Sequence, residues 1–410
     1  MNAEGWWRKW NEVRTLAGDR EIVLWGRSED WVQKTISRLH KKPILICDIN
    51  PGYANTEYYG IKVVSPNVIL NDTPGKYYIV VTAGPYEGIV RSLSEHNWTP
   101  GQDFCCSPEF YDFNLLEQMR RYEQSVIVVS SDYMDQESAR SSQEGGGIYR
   151  YNLHENKAER LIEGQFRQIE KVKNTYMAVE YVEMAIYVFD MDFKILQKVL
   201  LDRPNYCGIA FDPKRNNIIV ANSTTDRLIF MNADTFDIVD DVPFSYKCDL
   251  DIRSPHHLND VCIDGDYLYC SYFSYGGAWR KGQYDGGVSE LHLDRPHEPF
   301  VPLVSGLWSP HSPKIIEGAL CYLDSMRGRL YLNNQTFAVE LNGFARGLAS
   351  DGRFMYVGIS EDMYMSRVYG TRTSIMMNAG FYLVDIETKA CRFYPMFGNM
   401  NIHDLLVESS

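Results

Sequence analysis

An α/β domain leading into an all-β domain of six radial repeats follows from two patterns in this sequence. Strand and helix signals alternate over residues 21–115, and from about 120 onward the helical period disappears and an apolar, β-rich strand ending recurs. In a chain of 410 residues that is 45% hydrophobic, enough to fill more than one core, these patterns predict two domains. Residues 1–115 hold an N-terminal helix and a small parallel α/β domain, and residues 120–410 hold a six-bladed β-propeller closed by the C-terminal strand.

In the first domain EIVLWG is an apolar run closed by Gly26, and SEDWVQKTISRLHKK has helical spacing with Ser28 placed to cap it. PILICDIN is a second buried strand that runs into Asp48; KVVSP, KYYIVVTAG ending at Gly84 and a helix through Glu87–His96 continue the alternation. Glycine after one strand and an acid after the next mark a Rossmann-like sheet, and Asp48, 22 residues past Gly26, stands where such sheets hold a ribose hydroxyl. The turn Gly26-Arg-Ser-Glu-Asp-Trp31 lacks the second and third glycines of the dinucleotide fingerprint, however. Gly26 and Asp48 are therefore weak candidates for a nucleotide cofactor, and a docking or structural role is the alternative.

In the second domain VIVVSS closes at Ser131, YMAVEY at Tyr181, IIVANS at Ser223, LYCSYFS at Ser274, LCYLDS at Ser325 and MYVGIS at Ser360. Spacings of 35 to 51 residues suit four-stranded blades. Five of the six copies follow another strand: FRQIEKV, NYCGIAFD, HHLNDVCID, HSPKIIEG and ARGLASDG. The first copy has none before it, and NIHDLLV at 401–407 supplies the missing one, so that closure removes the exposed edge.

In an antiparallel blade the start of the innermost strand and the end of the second strand share a face. One residue per blade then rings the mouth of the central channel: Arg167, Tyr206, His257, His311, Arg346 and His403. The second-strand ends Ser131, Asn222, Asp324 and Glu361 surround them. Glycine-rich loops at 131–147, 274–287 and 360–374 bring Arg140, Arg280, Lys281, Arg367 and Arg372 to the same mouth, joined by Arg327, with Trp279 available to stack on a sugar ring. Ser-Pro-His occurs twice, in SPHHLNDV from 254 and SPHSPKII from 309.

His257, His311 and His403 fall at corresponding positions, which leaves three readings open. They are candidate ligands for one divalent metal, Zn, Mn or Fe, with an open position for substrate. They are equally candidate acid–base groups beside Arg346, which would stabilise developing negative charge. Or each bonds a neighbouring blade, with Asn259, Asp260 and Asp404 tying the strand starts together. His256 replaces His257 if the strand start is shifted by one.

With 41 basic against 54 acidic residues the formal charge is −13, which argues against nucleic acid or an anionic membrane as a general partner. A basic mouth in such a chain points instead to a small anionic ligand. No h-region follows MNAEGWWRKWNEV and no apolar run reaches a membrane-spanning length, so no membrane insertion and a cytoplasmic location are expected. The nine cysteines show no CxxC and read as buried thiols, with Cys105-Cys106 as an exposed exception. The oligomeric state is open.

The strings HLND, GGAWR followed by GG, SPHSP, LDSMRGRL, and GFARGL followed by VGIS span roughly 257–360. They resemble those of an uncharacterised bacterial family with a conserved propeller-type domain of unknown function. That resemblance implies a propeller, carries over His257, Asn259, Trp279, Arg280, His311, Asp324, Arg327, Gly328 and Arg346, and supplies no activity. DINPGYANTEYYGIKVVSP resembles the small Rossmann-like domains attached to bacterial sugar-nucleotide and surface-polysaccharide proteins.

The expectation is thus an enzyme acting on a small anionic carbohydrate or sugar-nucleotide by lyase, epimerase or hydrolase chemistry, in surface-glycan metabolism. His257, His311, His403 and Arg346 are its catalytic group. Arg167, Tyr206, Asn259, Trp279, Arg280, Lys281, Asp324, Arg327 and Arg372 bind the substrate. The alternative is a non-catalytic propeller that binds a glycan or a protein partner, with the front domain as a docking module.

Overall fold

The computed structural model describes residues 6–132, 145–249, 254–333, 336–362 and 374–408, and the chain divides into two compact units, 1–122 and 123–410. In the first unit the elements run α1 (Trp10–Ala17), β1 (Glu21–Trp25), α2 (Glu29–Arg38), β2 (Leu45–Cys47), β3 (Glu57–Tyr58), β4 (Ile61–Val64), α3 (Pro66–Leu70), β5 (Tyr77–Val81), α4 (Tyr86–Glu95), β6 (Phe104–Cys106) and α5 (Tyr111–Arg120). The unit extends past the expected limit at 115 because α5 belongs to it.

The sheet order is β3-β4-β2-β1-β5-β6, mixed, with β3 antiparallel to β4 and the other neighbours parallel. Its central strands are apolar runs because both faces are covered. Ile22, Leu24, Tyr78 and Val80 pack with Val13 and Ala17 of α1 and Val32 of α2. Val23, Trp25, Ile79 and Val81 pack on the other side with Ile69 of α3 and with Val90 and Leu93 of α4. Cys105 and Cys106 lie on β6 and are fully buried, so the exposed pair expected from the sequence is corrected: burial between two helical layers pushes both thiols up in pKa.

The second unit is a six-bladed β-propeller, each blade an antiparallel sheet of four strands. The innermost strands of blades 1 to 5 are Phe166–Val172, Tyr206–Asp212, Leu258–Asp264, His311–Ile316 and Phe344–Ser350. The closing blade takes its innermost strand, Ile402–Val407, from the C-terminal end of the chain and pairs it with Ser125–Ser130. The apolar core lies between blades: Val179, Ile209 and Val220 between the first two, Ala221, Leu258 and Leu268 between the next, and Leu323, Leu330 and Leu348 between the fourth and fifth.

Every innermost strand breaks register near its start, at 167–168, 207, 259–260, 312–313, 346–347 and 403. A bulge leaves backbone groups without a ladder partner, and a buried N–H left so costs about 1–3 kcal/mol. Here side chains of neighbouring blades take them. Gln168 accepts from Ile209 N–H (3.1 Å) and Val261 N–H (3.2 Å), and Asp260 accepts from Ser312 N–H at 2.7 Å. Ser312 Oγ accepts from Gly347 N–H at 2.9 Å, Ser360 Oγ from Ile402 N–H at 3.1 Å, and Asp404 from Ile169 N–H at 3.2 Å. These bonds form a polar belt around the channel that joins all six blades.

Gly347 sits in that belt with φ +81°, and a Cβ there would lie 3.0 Å from the Asp404 backbone. Gly347→Val is therefore expected to destabilise the propeller by about 2–4 kcal/mol, from left-handed backbone strain and overpacking together. A lower midpoint in urea unfolding checks this.

Candidate binding site at the channel mouth

The bulges decide which side chains turn into the channel. Arg167, Arg346 and His403 occupy them, whereas His311 begins its strand and His257 lies just ahead of Leu258 with φ +53°. The three histidines thus stand in three different registers, yet their side chains converge on one set of arginines. Arg167 Nη1 lies 2.6 Å from His403 Nε2, and Arg346 Nη1 lies 3.4 Å from the same atom. Asn259 Nδ2 donates to His311 Nε2 at 2.8 Å, and His311 Nδ1 faces the Ser309 carbonyl at 2.9 Å and Ser325 Oγ at 2.8 Å. A carbonyl can only accept, so Nδ1 carries the proton of a neutral His311.

His257 is held more loosely, with one 3.5 Å contact to Ser254 Oγ. Its ring packs between Phe273 (4.2 Å) and Trp279 (4.7 Å), and the Trp279 indole N–H is anchored on Ser254 O at 2.8 Å. Burial first, then the Arg346, Arg280 and Arg167 guanidiniums, push His257 down to about 3. Burial, Arg346, His257 and Arg167 push His311 well below its usual value, and burial, Arg167, Arg346 and His311 do the same to His403. All three imidazoles are neutral at pH 7.

Arg167 Nε is buried without a hydrogen-bond partner, the guanidinium lies over the Tyr181 ring at 4.1 Å, and no carboxylate pairs with Arg167 among the described residues. Arg167 is half-buried and has Glu180 within electrostatic range but not in hydrogen-bonding contact, so its guanidinium can still take up an anion.

Of the other expected residues, Asn259 and Trp279 belong to the cluster as hydrogen-bonding and packing groups. Arg280 is exposed and stacks over Trp279 at 4.5 Å, contributing charge at the rim. Lys281 is exposed beside it. Tyr206 is not brought to the mouth: its hydroxyl donates to Asp202 at 2.8 Å and its ring packs between the first two blades. Asp324 and Arg327 pair with each other at 2.9 Å, and Asp324 also accepts from Trp308 N–H at 2.8 Å, so the two neutralise one another. Arg140, Arg367 and Arg372 lie outside the described residues.

Sequence reasoning missed Cys207, which sits at the bulge of blade 2 where Tyr206 was expected and is within electrostatic range of Arg167 and Arg346. It also missed a second polar group of the channel. Lys314 Nζ lies 3.7 Å from Asp404, and burial pushes the nearby Glu170 carboxyl up to about 7.

Among the described residues no three His, Cys, Asp or Glu side chains are grouped so as to hold a metal ion. Both ring nitrogens of His311 and of His403 are engaged within the protein. In the first unit Gly26 has φ +112° and a Cβ there would lie 2.2 Å from Ala83 Cβ, so close packing of β1 against the turn after β5 requires this glycine. Asp48 accepts from Asn50 N–H at 2.8 Å, shaping its own turn. Glu29 and Asp30 fill the first turn of α2, which opposes a phosphate there, and Trp31 packs on Phe110 with centroids 4.0 Å apart.

Fold and site together define a six-bladed propeller with an arginine- and histidine-lined mouth. Within it, residues 252–407 match the family described as Domain of unknown function (DUF4915). No curated protein matches the chain. Among solved structures it is similar to a chain of a nidogen/laminin complex, at 12% identity over 69% of this chain and 98% of that one, TM-score 0.48. A Bacteroides caccae protein of unknown function gives 10%, 70%, 98% and 0.47, and Kuenenia stuttgartiensis hydrazine synthase gives 10%, 57%, 67% and 0.38. Likeness at this level transfers no ligand, activity or partner. Among the described residues no helix is long and apolar enough to cross a membrane.

Proposed function

We propose that the channel mouth binds a small carbohydrate carrying a carboxylate or phosphate, and that His257 is its acid–base group. One observation carries this reading: two guanidiniums, Arg167 and Arg346, converge on the same neutral His403 imidazole. A bridging anion would accept charge-assisted hydrogen bonds from both guanidiniums. Trp279, which is only half-buried, supplies aromatic surface for a sugar ring beside it, while the buried Phe273 backs the His257 ring.

His257 suits proton transfer because its nitrogens are less engaged than those of His311 and His403. Ligand binding also activates it. An anion seated on Arg167 and Arg346 cancels part of the positive field that depresses its pKa, so the imidazole becomes a better base once the substrate is present. Because both nitrogens of the other two rings are committed, this reading uses imidazole and guanidinium groups and routes no step through a metal.

The order of the five parallel strands supports a Rossmann-like reading of the first unit. The packing of Gly26 and Trp31 and the acidic start of α2 support docking rather than nucleotide binding for it.

Titration calorimetry against uronic acids, sugar phosphates, nucleotide sugars and their neutral counterparts tests the proposal. Anionic members are expected to bind, and Arg167→Gln or Arg346→Gln to weaken binding about 10- to 100-fold, the worth of one charge-assisted hydrogen bond. Equal binding of neutral sugars, or no binding by any member, removes it.

A further inference from the structure

The residue next to His257 in sequence points into different surroundings. The His256 ring packs against Phe244 at 5.0 Å and is buried, at 2% exposure. Its Nε2 lies 2.6 Å from Ser245 Oγ, and its Nδ1 lies 2.8 Å from the Ser274 carbonyl. A carbonyl accepts only, so Nδ1 of the neutral ring holds the proton, and Nε2 presents its lone pair to the serine hydroxyl. Ser245 follows the outermost strand of blade 2, Ile238–Pro243, and opens a short turn, while His256 precedes the innermost strand of blade 3. The pairing is therefore built across a blade boundary.

The third member is rigid. Ser274 Oγ donates to Asp285 and accepts from the N–H groups of Gly277 (3.0 Å) and Ala278 (2.9 Å), while Gly276 N–H donates to Asp285 at 2.7 Å. That network fixes the carbonyl that fixes the imidazole. Ser245 is half-buried, and the next residue, Tyr246, is 74% exposed, so the turn that carries the pair lies at the surface. Lys247 N–H donates to Ser245 Oγ at 3.2 Å, a bond that a turn-capping serine makes by itself; the histidine oriented from its far side is the feature that capping does not require.

We propose that Ser245 and His256 form a nucleophile–base pair that accepts the acyl group of a small carboxylic ester. Ser245 Oγ attacks the ester carbonyl and its proton passes to His256 Nε2. The C–O bond to the alcohol breaks, and the same proton leaves with the departing alkoxide. Water then releases the acyl group as a carboxylic acid, with His256 taking and returning a proton once more. Ser274 O positions the base, as an acidic residue does in a triad. This site is separate from the arginine-lined mouth and does not rest on the carbohydrate reading.

The test uses full-length protein and a fluorophosphonate probe, followed by intact mass and peptide mapping. One adduct per chain on Ser245 is expected, absent in Ser245→Ala and formed at least about tenfold more slowly in His256→Gln. Ser245→Ala removes one half-buried hydroxyl, and its melting temperature verifies that it folds. No adduct on the wild type, an adduct elsewhere with Ser245 unmodified, or an unchanged rate in a folded His256→Gln overturns the proposal.

Discussion

A chain ended at Met400 is expected to lose its propeller while keeping its N-terminal sheet. The segment removed contains Ile402–Val407, the innermost strand of the closing blade. Ile402 and Leu405 are 0% and 1% exposed, each contributing roughly 1.5–3 kcal/mol by burial. Their loss also opens the edge of Ser125–Ser130, where Val126, Ile127, Val128 and Val129 are fully buried, and leaves Ile169 N–H without Asp404. The bidentate pair between Arg150 and Glu408 goes with it. Together these losses rival the roughly 5–15 kcal/mol by which a domain is stable, and they expose an apolar edge strand. The truncated protein should show no cooperative β-sheet unfolding transition and should aggregate. Melting within a few degrees of the full-length chain would refute the closure as the source of stability.

That closure was legible because the sequence signals involved are coarse. Period-two apolar runs and their spacing survive errors of one residue, and the unmatched first copy called for a strand such as NIHDLLV. The site was legible as a place and less so as a set of residues. Each innermost strand carries a bulge near its start, and one extra residue turns the next side chain to another face. So Arg167, Arg346 and His403 stand at the bulges, Cys207 rather than Tyr206 occupies the bulge of blade 2, and three histidines that look equivalent in sequence occupy three registers. Burial changed other readings. Cys105 and Cys106 looked exposed because β6 is only three residues long, too short for its period to show. Arg327 reads as a ligand group in sequence because no local pattern shows that Asp324, three residues away, takes its charge. Pairing of Ser245 with His256 depends on two blades meeting, which no local pattern carries.

His257→Asn is expected to become progressively more stable than the wild type as the pH is lowered. The native His257 pKa is held near 3 against the ordinary 6.5, so below pH 6.5 the unfolded chain takes up a proton that the folded chain refuses. The stability tied to that neutral imidazole is present above pH 6.5 and is lost as the pH falls toward 3, by at most about 1.4 kcal/mol per pH unit. Asparagine tolerates the positive φ of this position and has nothing to titrate. At pH 7 the variant lacks the ring contacts with Phe273 and Trp279 and should be less stable by about 1 kcal/mol. By pH 4.5 the difference should have moved in its favour by roughly 3 kcal/mol, so the two curves cross. The difference between the proteins is the quantity to measure, because the wild-type curve alone is flattened by groups of opposite sign. Glu170 is raised to about 7, and Asp226 and Asp260 to about 6, so the folded state gains protons, and stability, as the pH falls through those values. That gain ends once the unfolded carboxyls protonate too, below about pH 4. The wild type should then lose stability steeply, with all three neutral histidines acting in the same direction. Urea unfolding at half-unit intervals between pH 7 and 4 decides it: parallel curves would show that His257 titrates normally and that the arginine field at the mouth is screened.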